Sequence, residues 1–329
     1  MGSTANEITM FIDTSKCIGC KACQVACKQW HSLPAERDEG TATSGTLTTL
    51  VDATRSLTPP FTNPLSWAVN EWAGRGVEIL DGAGAGQKRI ITSNTVDTLT
   101  VSPPFTTAPT TETYAITTAF NGSYTNPPDM SGKNLTVVKF YEAQGDEGLR
   151  FLFLKDQCRH CYQPKCKRGC PTGVYQTQEG FVLFSSNCND ANVKPRKKKV
   201  LGVPTVMTFA EHCPYNIPRL STTLNQYVKC DFCYDRFASG DSTLQRDKTA
   251  LLGTGANPHT TACEFACPTG AIVTGSYAQI IQGSRSYAKN RYRAIRREYP
   301  FARLYLGRYG RVNVIYLLTE TADKYGLAK

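Results

Sequence analysis

Apolar positions along this chain fall in short runs, and their spacing changes three times. The first block, ITMFIDTSKCIGCKACQVACKQW from Ile8 to Trp30, reads as a short strand, a cysteine-bearing loop and a helical turn. From Thr41 to Asn121 the pattern becomes brief β-type runs: VEIL at Val77–Leu80, RIIT at Arg89–Thr92, TLTV at Thr98–Val101 and TYAIT at Thr113–Thr117. Gly- and Pro-rich connectors (DGAGAGQ, SPPFTTAP) separate them, which predicts a small all-β unit. Phe61, Trp67, Trp72, Phe105 and Tyr114 offer it a core, against the alternative of a disordered threonine-rich linker. After the last cysteine, SYAQIIQGSRSYAKNRYRAIRREYP reads as one helix stopped near Pro300. The strand RVNVIYLL, Arg311–Leu318, follows. No run approaches the roughly 18 apolar residues of a membrane span.

Composition sharpens this division. The segment 41–121 holds nineteen threonines and no cysteine, whereas all fourteen cysteines lie at 17–27 and 158–267. With 329 residues there is room for two or three compact units. The formal charge of +10 counts every cysteine as neutral, so a chain that ligates metal through thiolates is less basic than that. Its basic residues are uneven: Arg285, Lys289, Arg291, Arg293, Arg296, Arg297, Arg303, Arg308 and Arg311 have only Glu298 among them, and PRKKK spans Pro195–Lys199. These read as a face for an acidic protein partner, or as a solvated face offsetting anionic metal centres, rather than as a nucleic-acid surface. The start, MGSTANEITMF, shows neither an apolar leader core nor paired arginines. The expectation is a soluble chain that leaves the cytoplasm only by riding with a partner.

The cysteine spacing carries the chemistry. Cys17-x2-Cys20-x2-Cys23-x3-Cys27 is a run in which three thiolates wrap one iron–sulfur cluster while the fourth ligates another. The complement stands at Cys230-x2-Cys233 and Cys263-x3-Cys267-Pro268. Pairing the halves gives cluster A on Cys17, Cys20, Cys23 and Cys267, and cluster B on Cys27, Cys230, Cys233 and Cys263. A second set, Cys158-x2-Cys161-x4-Cys166-x3-Cys170-Pro171, repeats the logic and finds its later Cys-Pro at Cys213-Pro214. Cluster C then takes Cys158, Cys161, Cys166 and Cys213. Cys170 and Cys188 remain, two ligands of a fourth site that lacks its other two. The fold class expected is α+β: two nested ferredoxin-like [4Fe–4S] modules (1–40 and 122–276), an inserted threonine-rich all-β domain (41–121) and a C-terminal helix and strand (277–329).

Zinc is the competing chemistry, since C-x2-C pairs also build zinc ribbons, but a CxxCxxCxxxC run and repeated Cys-Pro endings are iron–sulfur habits. His160, inside CRHC, and His212, beside Cys213, could replace a thiolate as in Rieske centres. With the cysteine sets full, they are read as supporting or surface residues. His31 and His259 carry no signal, and GAGAG at Gly82–Gly86 is a turn among β runs. No nucleophilic triad and no phosphate-cradling loop is visible, so no catalytic residue is assigned.

CIGCKACQVACKQW at Cys17–Trp30, DQCRHC at Asp156–Cys161, CPYNIPR at Cys213–Arg219, KCDFCYDR at Lys229–Arg236 and ACEFACPTGAI at Ala262–Ile272 resemble the iron–sulfur (beta) subunit of molybdenum- or tungsten-dependent formate dehydrogenases. NPPD at Asn126–Asp129 is similar to a stretch of the soluble members. The likeness spans everything except 41–121. It implies three [4Fe–4S] clusters here, and a bis-pterin guanine dinucleotide centre of molybdenum or tungsten in a large catalytic partner subunit. It also implies a further redox acceptor such as a cytochrome, ferredoxin or flavin protein. Related subunits serve nitrate, sulfoxide and polysulfide enzymes, and a free-standing polyferredoxin is the other alternative. Membrane-bound relatives carry four clusters and a C-terminal transmembrane helix. This chain resembles instead the soluble, often periplasmic type, for which co-export is expected. That type lacks Cys170 and Cys188, so this pair is expected to lie close together as the relic of a lost fourth site.

Overall fold

The computed structural model describes residues 6–56, 66, 67, 69–117, 125, 127–145, 148–200, 203–221, 224–284 and 286–327. Phe61, Asn121, Asn126 and Arg285, named above from the sequence, lie outside them. Contacts divide the chain into two units: Met1–Leu33, Asp129–Ser221 and Asn225–Lys329 in one, Pro34–Pro128 with Thr222–Leu224 in the other.

The first unit is organised by a four-stranded sheet in the order Ile272–Ser276, Ile8–Asp13, Val314–Leu318, Arg303–Tyr305. Ile8–Asp13 pairs antiparallel with Ile272–Ser276 and parallel with Val314–Leu318. All six residues of Ile8–Asp13 are buried because both faces of the sheet are covered. Alternation along the strand assigns the faces. Ile8, Met10 and Ile12 pack with Leu152, Leu154, Cys23 and Cys263, while Phe11 packs with Val273, Ile315, Ala288 and Ile295. A long hairpin, Val137–Gly145 against Gly148–Asp156, delivers Asp156 to the start of the second cysteine set.

Two sequence expectations change here. The C-terminal helix is two helices, Tyr277–Ile280 and Tyr287–Ile295. Ser276 and Gln279 form a capping box that starts the first, and Gly283 at φ +73 interrupts the run, since a left-handed residue cannot continue a helix. The last strand begins at Val314, not Arg311. Upstream of it, the Asn313 N–H turns to the carbonyls of Arg159 and His160 (both 3.1 Å), and Val312 bridges Cys161.

The second unit is an antiparallel seven-stranded sheet in the order Asp38–Thr41, Thr113–Thr117, Gly76–Ile79, Lys88–Asn94, Thr98–Ser102, Thr49–Val51, Ser44–Gly45. It reaches back beyond residue 41 because Asp38–Thr41 pairs with Thr113–Thr117. Trp67, Trp72, Phe105 and Tyr114 lie in its core with Leu50, Ile79, Ile91, Leu99 and Ile116. Buried Asp52 accepts hydrogen bonds from Tyr114 Oη (2.7 Å) and Arg55 Nε (2.9 Å), and the Arg55 guanidinium also meets Asp38 and stacks over Trp67. Gly82–Gly84 is a short 3-10 turn.

Candidate metal centre

Each cysteine loop is shaped by left-handed residues. In the first, Gly19 (φ +68) and Lys21 (φ +62) precede the helix Ala22–Trp30; in the second it is His160 (φ +45); in the third Phe232 (φ +70) and Cys233 (φ +52). Such residues fold successive amides toward one point, which is how short loops present N–H groups to anionic sulfur. The His160 N–H approaches Cys158 Sγ at 3.4 Å, and the Ala262 N–H approaches Cys233 Sγ at 3.5 Å. Thr261 Oγ1 lies 3.2 Å from Cys263 Sγ and Thr269 Oγ1 3.7 Å from Cys267 Sγ. A Cβ at Gly19 would fall 2.8 Å from Phe153 and 3.1 Å from Phe140, so this loop position closes against that ring pair only as glycine.

The thiols fall into groups. Burial raises the Cys17 thiol, and the neighbouring sulfurs of Cys267 and Cys20 raise it further, against the Gly19 N–H. Burial pushes Cys23 up to about 12; Lys155 opposes this, and Cys263, Cys17 and Cys267 add to it. Cys230 and Cys233, both deeply buried, are raised well above the ordinary range by burial, with Cys27 and Cys263 as neighbours of each. The third group is separate. Burial pushes Cys161 up to about 12 with Cys158 and Cys213 beside it, and Cys166 is raised by burial with Cys158, Cys213 and Cys161 around it. Cys213 is placed by the helix Phe209–His212, whose start is fixed by the capping box of Thr208 and Glu211. Unmetallated, these raised thiols keep their protons, so loading metal releases them.

Cys170 and Cys188 are fully buried, and their side chains are hydrogen-bonded to each other. A Cβ at Gly173 would meet Cys170 Sγ and Cys188 Cβ, both at 2.7 Å, so the pair closes over that glycine. Cys166 is a further neighbour of Cys188.

Sequence reasoning missed His31. It stands one helical turn after Cys27, with Nδ1 2.8 Å from the Cys27 carbonyl and 3.8 Å from its sulfur, and Nε2 2.9 Å from Asp231 Oδ1. Both nitrogens therefore face acceptors and both donate. Burial disfavours the charged ring, but Asp231 and Cys27 outweigh it and push its pKa up to about 11. His31, Asp231 and Cys233 lie close enough to hold a cation. An imidazole donating from both nitrogens has no lone pair for one, so the ring is a brace between the first helix and the Cys230–Cys233 loop. The i,i+4 spacing from Cys27 and the acid inside CDFC were the available signals. Asp231 also accepts the Cys233 N–H at 2.8 Å. Nearby, Trp30 Nε1 donates to Asp235 and stacks under Arg236.

His160 is buried beside Phe232. Its Nδ1 accepts the Val182 N–H (3.1 Å) and its Nε2 donates to the Cys230 carbonyl (3.0 Å), so the ring is neutral, and burial holds its pKa well below the usual value. It ties the Cys158–Cys161 loop to Cys230. His212 is buried with its pKa lowered, first by burial and then by Arg196. Part of the basic run is consumed internally: Arg291 pairs with Asp13 (2.9 Å) and Arg311 with Glu7 (2.9 Å), while Arg293, Arg296 and Arg297 are exposed. No helix among the described residues is long and apolar enough to cross a membrane.

Two family models match. One, a 4Fe-4S binding domain, covers residues 8–29; the other, a 4Fe-4S dicluster domain, covers residues 149–252. Similar curated proteins include formate dehydrogenase 2 subunit beta (cytochrome c-553) of Nitratidesulfovibrio vulgaris, 24% identical across 95% of this chain and 94% of the relative. The nitrate-inducible formate dehydrogenase iron–sulfur subunit of Escherichia coli is 26% identical across 84% of this chain, which spans 56% of that relative's length. The B subunit of the anaerobic dimethyl sulfoxide reductase of Escherichia coli is 32% identical over 36% of this chain and 53% of its own length.

Proposed function

We propose that this chain, an iron–sulfur subunit of the formate dehydrogenase type, relays electrons through three [4Fe–4S] clusters to or from a catalytic partner that holds a molybdenum or tungsten bis-pterin centre. Cys17, Cys20, Cys23 and Cys267 hold cluster A, Cys27, Cys230, Cys233 and Cys263 cluster B, and Cys158, Cys161, Cys166 and Cys213 cluster C, in two nested ferredoxin-like modules. The observation that carries this reading is that twelve thiols from five chain segments draw together, Cys158, Cys161, Cys166 and Cys213 as one neighbourhood and the other eight as another, with backbone and hydroxyl donors beside the sulfurs. Bound clusters would supply one-electron storage; the chain supplies ligation, burial and hydrogen bonds to sulfur, which set their potentials.

The contacts between groups support an order A, B, C. Cys23 and Cys27 sit one turn apart on the same helix, and His160 joins the Cys158 loop to the Cys230 carbonyl. Cys170 and Cys188 are the remainder of a fourth site. Residues 34–128 are an all-β insertion with a docking or stabilising role, and a redox protein of the same compartment, by co-export the periplasm, is the second partner.

Formate is favoured over sulfoxide because the formate dehydrogenase relatives match along nearly the whole chain and the sulfoxide reductase subunit along about a third of it. Native purification with metal analysis tests both levels. About twelve irons per chain, with molybdenum or tungsten in a co-purifying large subunit that oxidises formate, is the expected result. Stoichiometric zinc without iron overturns the cluster reading, and iron without a pterin-bearing partner overturns the formate reading.

A further inference from the structure

Lys155 is the penultimate residue of the strand Gly148–Asp156 and is about 2% exposed. Its position is firmly set. The backbone pairs with Val138 across the hairpin, and its carbonyl accepts the Tyr316 hydroxyl at 2.9 Å. The ammonium donates to Gln157 Oε1, and Gln157 Nε2 in turn points at Met10 Sδ, 3.0 Å away. No carboxylate of the described residues lies within ion-pairing distance of it. Two other buried cations of this unit, Arg159 and Lys248, have the carboxylates of Asp156 and Glu264 within 3.1 Å, whereas buried Lys229 and Arg236 donate to backbone carbonyls.

An ammonium taken out of water without a counter-anion is among the costliest groups a fold can bury. The anions available are sulfurs. Those that act on Lys155 are Cys263, Cys23, Cys230 and Cys27, and Cys17 feels it too. These five come from two of the proposed ligand sets, A (Cys17, Cys23) and B (Cys27, Cys230, Cys263). None belongs to the third set, which has Arg159 and, at Cys166, the buried Lys229 among its neighbours instead.

We propose that Lys155 is a fixed cation shared by clusters A and B, the counter-charge that both thiolate sets are built around and that sets their reduction potentials together. The inference rests on the three-cluster reading above. A positive charge held in a dry interior stabilises the more negative, reduced form of each neighbouring cluster, so it raises both potentials. Because one ammonium serves both, the two potentials shift in the same direction when it is removed.

The experiment is a potentiometric titration of the purified holo complex followed by electron paramagnetic resonance, on wild type, Lys155→Met and Lys155→Arg, with iron counted on each sample. Wild-type iron and spectra report on the three-cluster reading by themselves. The expected result is a downward shift of two of three midpoints in Lys155→Met, the third unmoved, and recovery toward wild type in Lys155→Arg. If Lys155→Met loses the iron of two clusters and Lys155→Arg restores it, the need for charge stands as well. Unchanged midpoints at full iron content in Lys155→Met overturn the proposal. So does equal loss of iron in both variants, which marks a packing role.

Discussion

The ligand assignment makes a prediction that a more local wiring does not share. Cys23 and Cys27 both lie on the helix Ala22–Trp30. At four residues apart they are about 6 Å apart along its axis and share a face. On distance alone, Cys17, Cys20, Cys23 and Cys27 could close one cluster by themselves and leave Cys230, Cys233, Cys263 and Cys267 for another. The electrostatic neighbours favour crossing the halves: Cys267 acts on Cys17 and Cys23, Cys27 acts on Cys230 and Cys233, and Cys263 acts on that pair and on Cys23 as well. Serine is near-isosteric with cysteine, and Cys267 is only partly buried, so Cys267→Ser disturbs packing little. Each of Cys17→Ser and Cys267→Ser is therefore expected to lose the same cluster, about four of about twelve irons. Cys27→Ser and Cys263→Ser are expected to lose a different one. The assay is iron per chain together with low-temperature electron paramagnetic resonance of the dithionite-reduced complex. If Cys267→Ser and Cys263→Ser erase the same signal while Cys17→Ser and Cys27→Ser share the other, the crossed wiring is wrong.

Three further outcomes follow from particular contacts. Gly19→Ala forces a Cβ into Phe153 at a left-handed position, costing about 2–4 kcal/mol, and iron analysis should show cluster A depleted first; full iron at wild-type stability counts against the loop geometry. Cys170→Ala with Cys188→Ala is expected to leave iron and all spectra intact, since neither sulfur belongs to a complete set; a drop in iron shows that the pair still ligates. In the β unit, burial alone would raise the Asp52 carboxyl, but hydrogen bonds from Thr54, Tyr114 and Arg55 and the Arg55 charge hold it below its ordinary range. A depressed carboxylate contributes stability above its unfolded pKa of about 3.9 and loses it as pH falls through the folded value. Asp52→Asn should therefore cost about 2–3 kcal/mol at pH 7 and progressively less toward pH 2, read by urea unfolding through Trp67 and Trp72 fluorescence. A cost that does not shrink with acid contradicts the assignment.

What the sequence made legible was whatever repeats at fixed spacing. The cysteine motifs stand out because the ligation proposed for them constrains spacing directly, and the strand at Thr113–Thr117 is visible as a short β-type run with turn residues at both ends. What stayed hidden depends on chain segments far apart in sequence. Lys155 is one lysine among many until the strand Gly148–Asp156 carries it between two thiol groups. His31 acquires its role only when Asp231, two hundred residues away, closes on it. The broken C-terminal helix was missed for a different reason. Gly283 sits in a run whose apolar spacing on either side fits one helix, and the backbone leaves helical geometry at Ile281 and turns left-handed at Gly283.

The sheet register explains why distant cysteines can meet at all. Ile12 pairs with Ile272 in the antiparallel ladder between Ile8–Asp13 and Ile272–Ser276. Cys17 lies five residues beyond Ile12 (17 − 12), and Cys267 lies five residues before Ile272 (272 − 267). In an antiparallel pair those two directions leave the sheet at the same end, so both cysteines emerge together. The Asp13 N–H extends the ladder one step further, to the Ala271 carbonyl at 2.8 Å. Because strand side chains alternate, a one-residue slip would turn Ile8, Met10 and Ile12 away from Leu152 and Leu154 and separate the two loops at once. Burial of both faces of Ile8–Asp13 therefore fixes the register, and the register brings a thiol from residue 17 to one from residue 267. The hydrophobic core is in this sense part of the proposed metal site. A substitution that loosens the strand, such as Met10→Asp, is expected to disturb the A group before the separate C group.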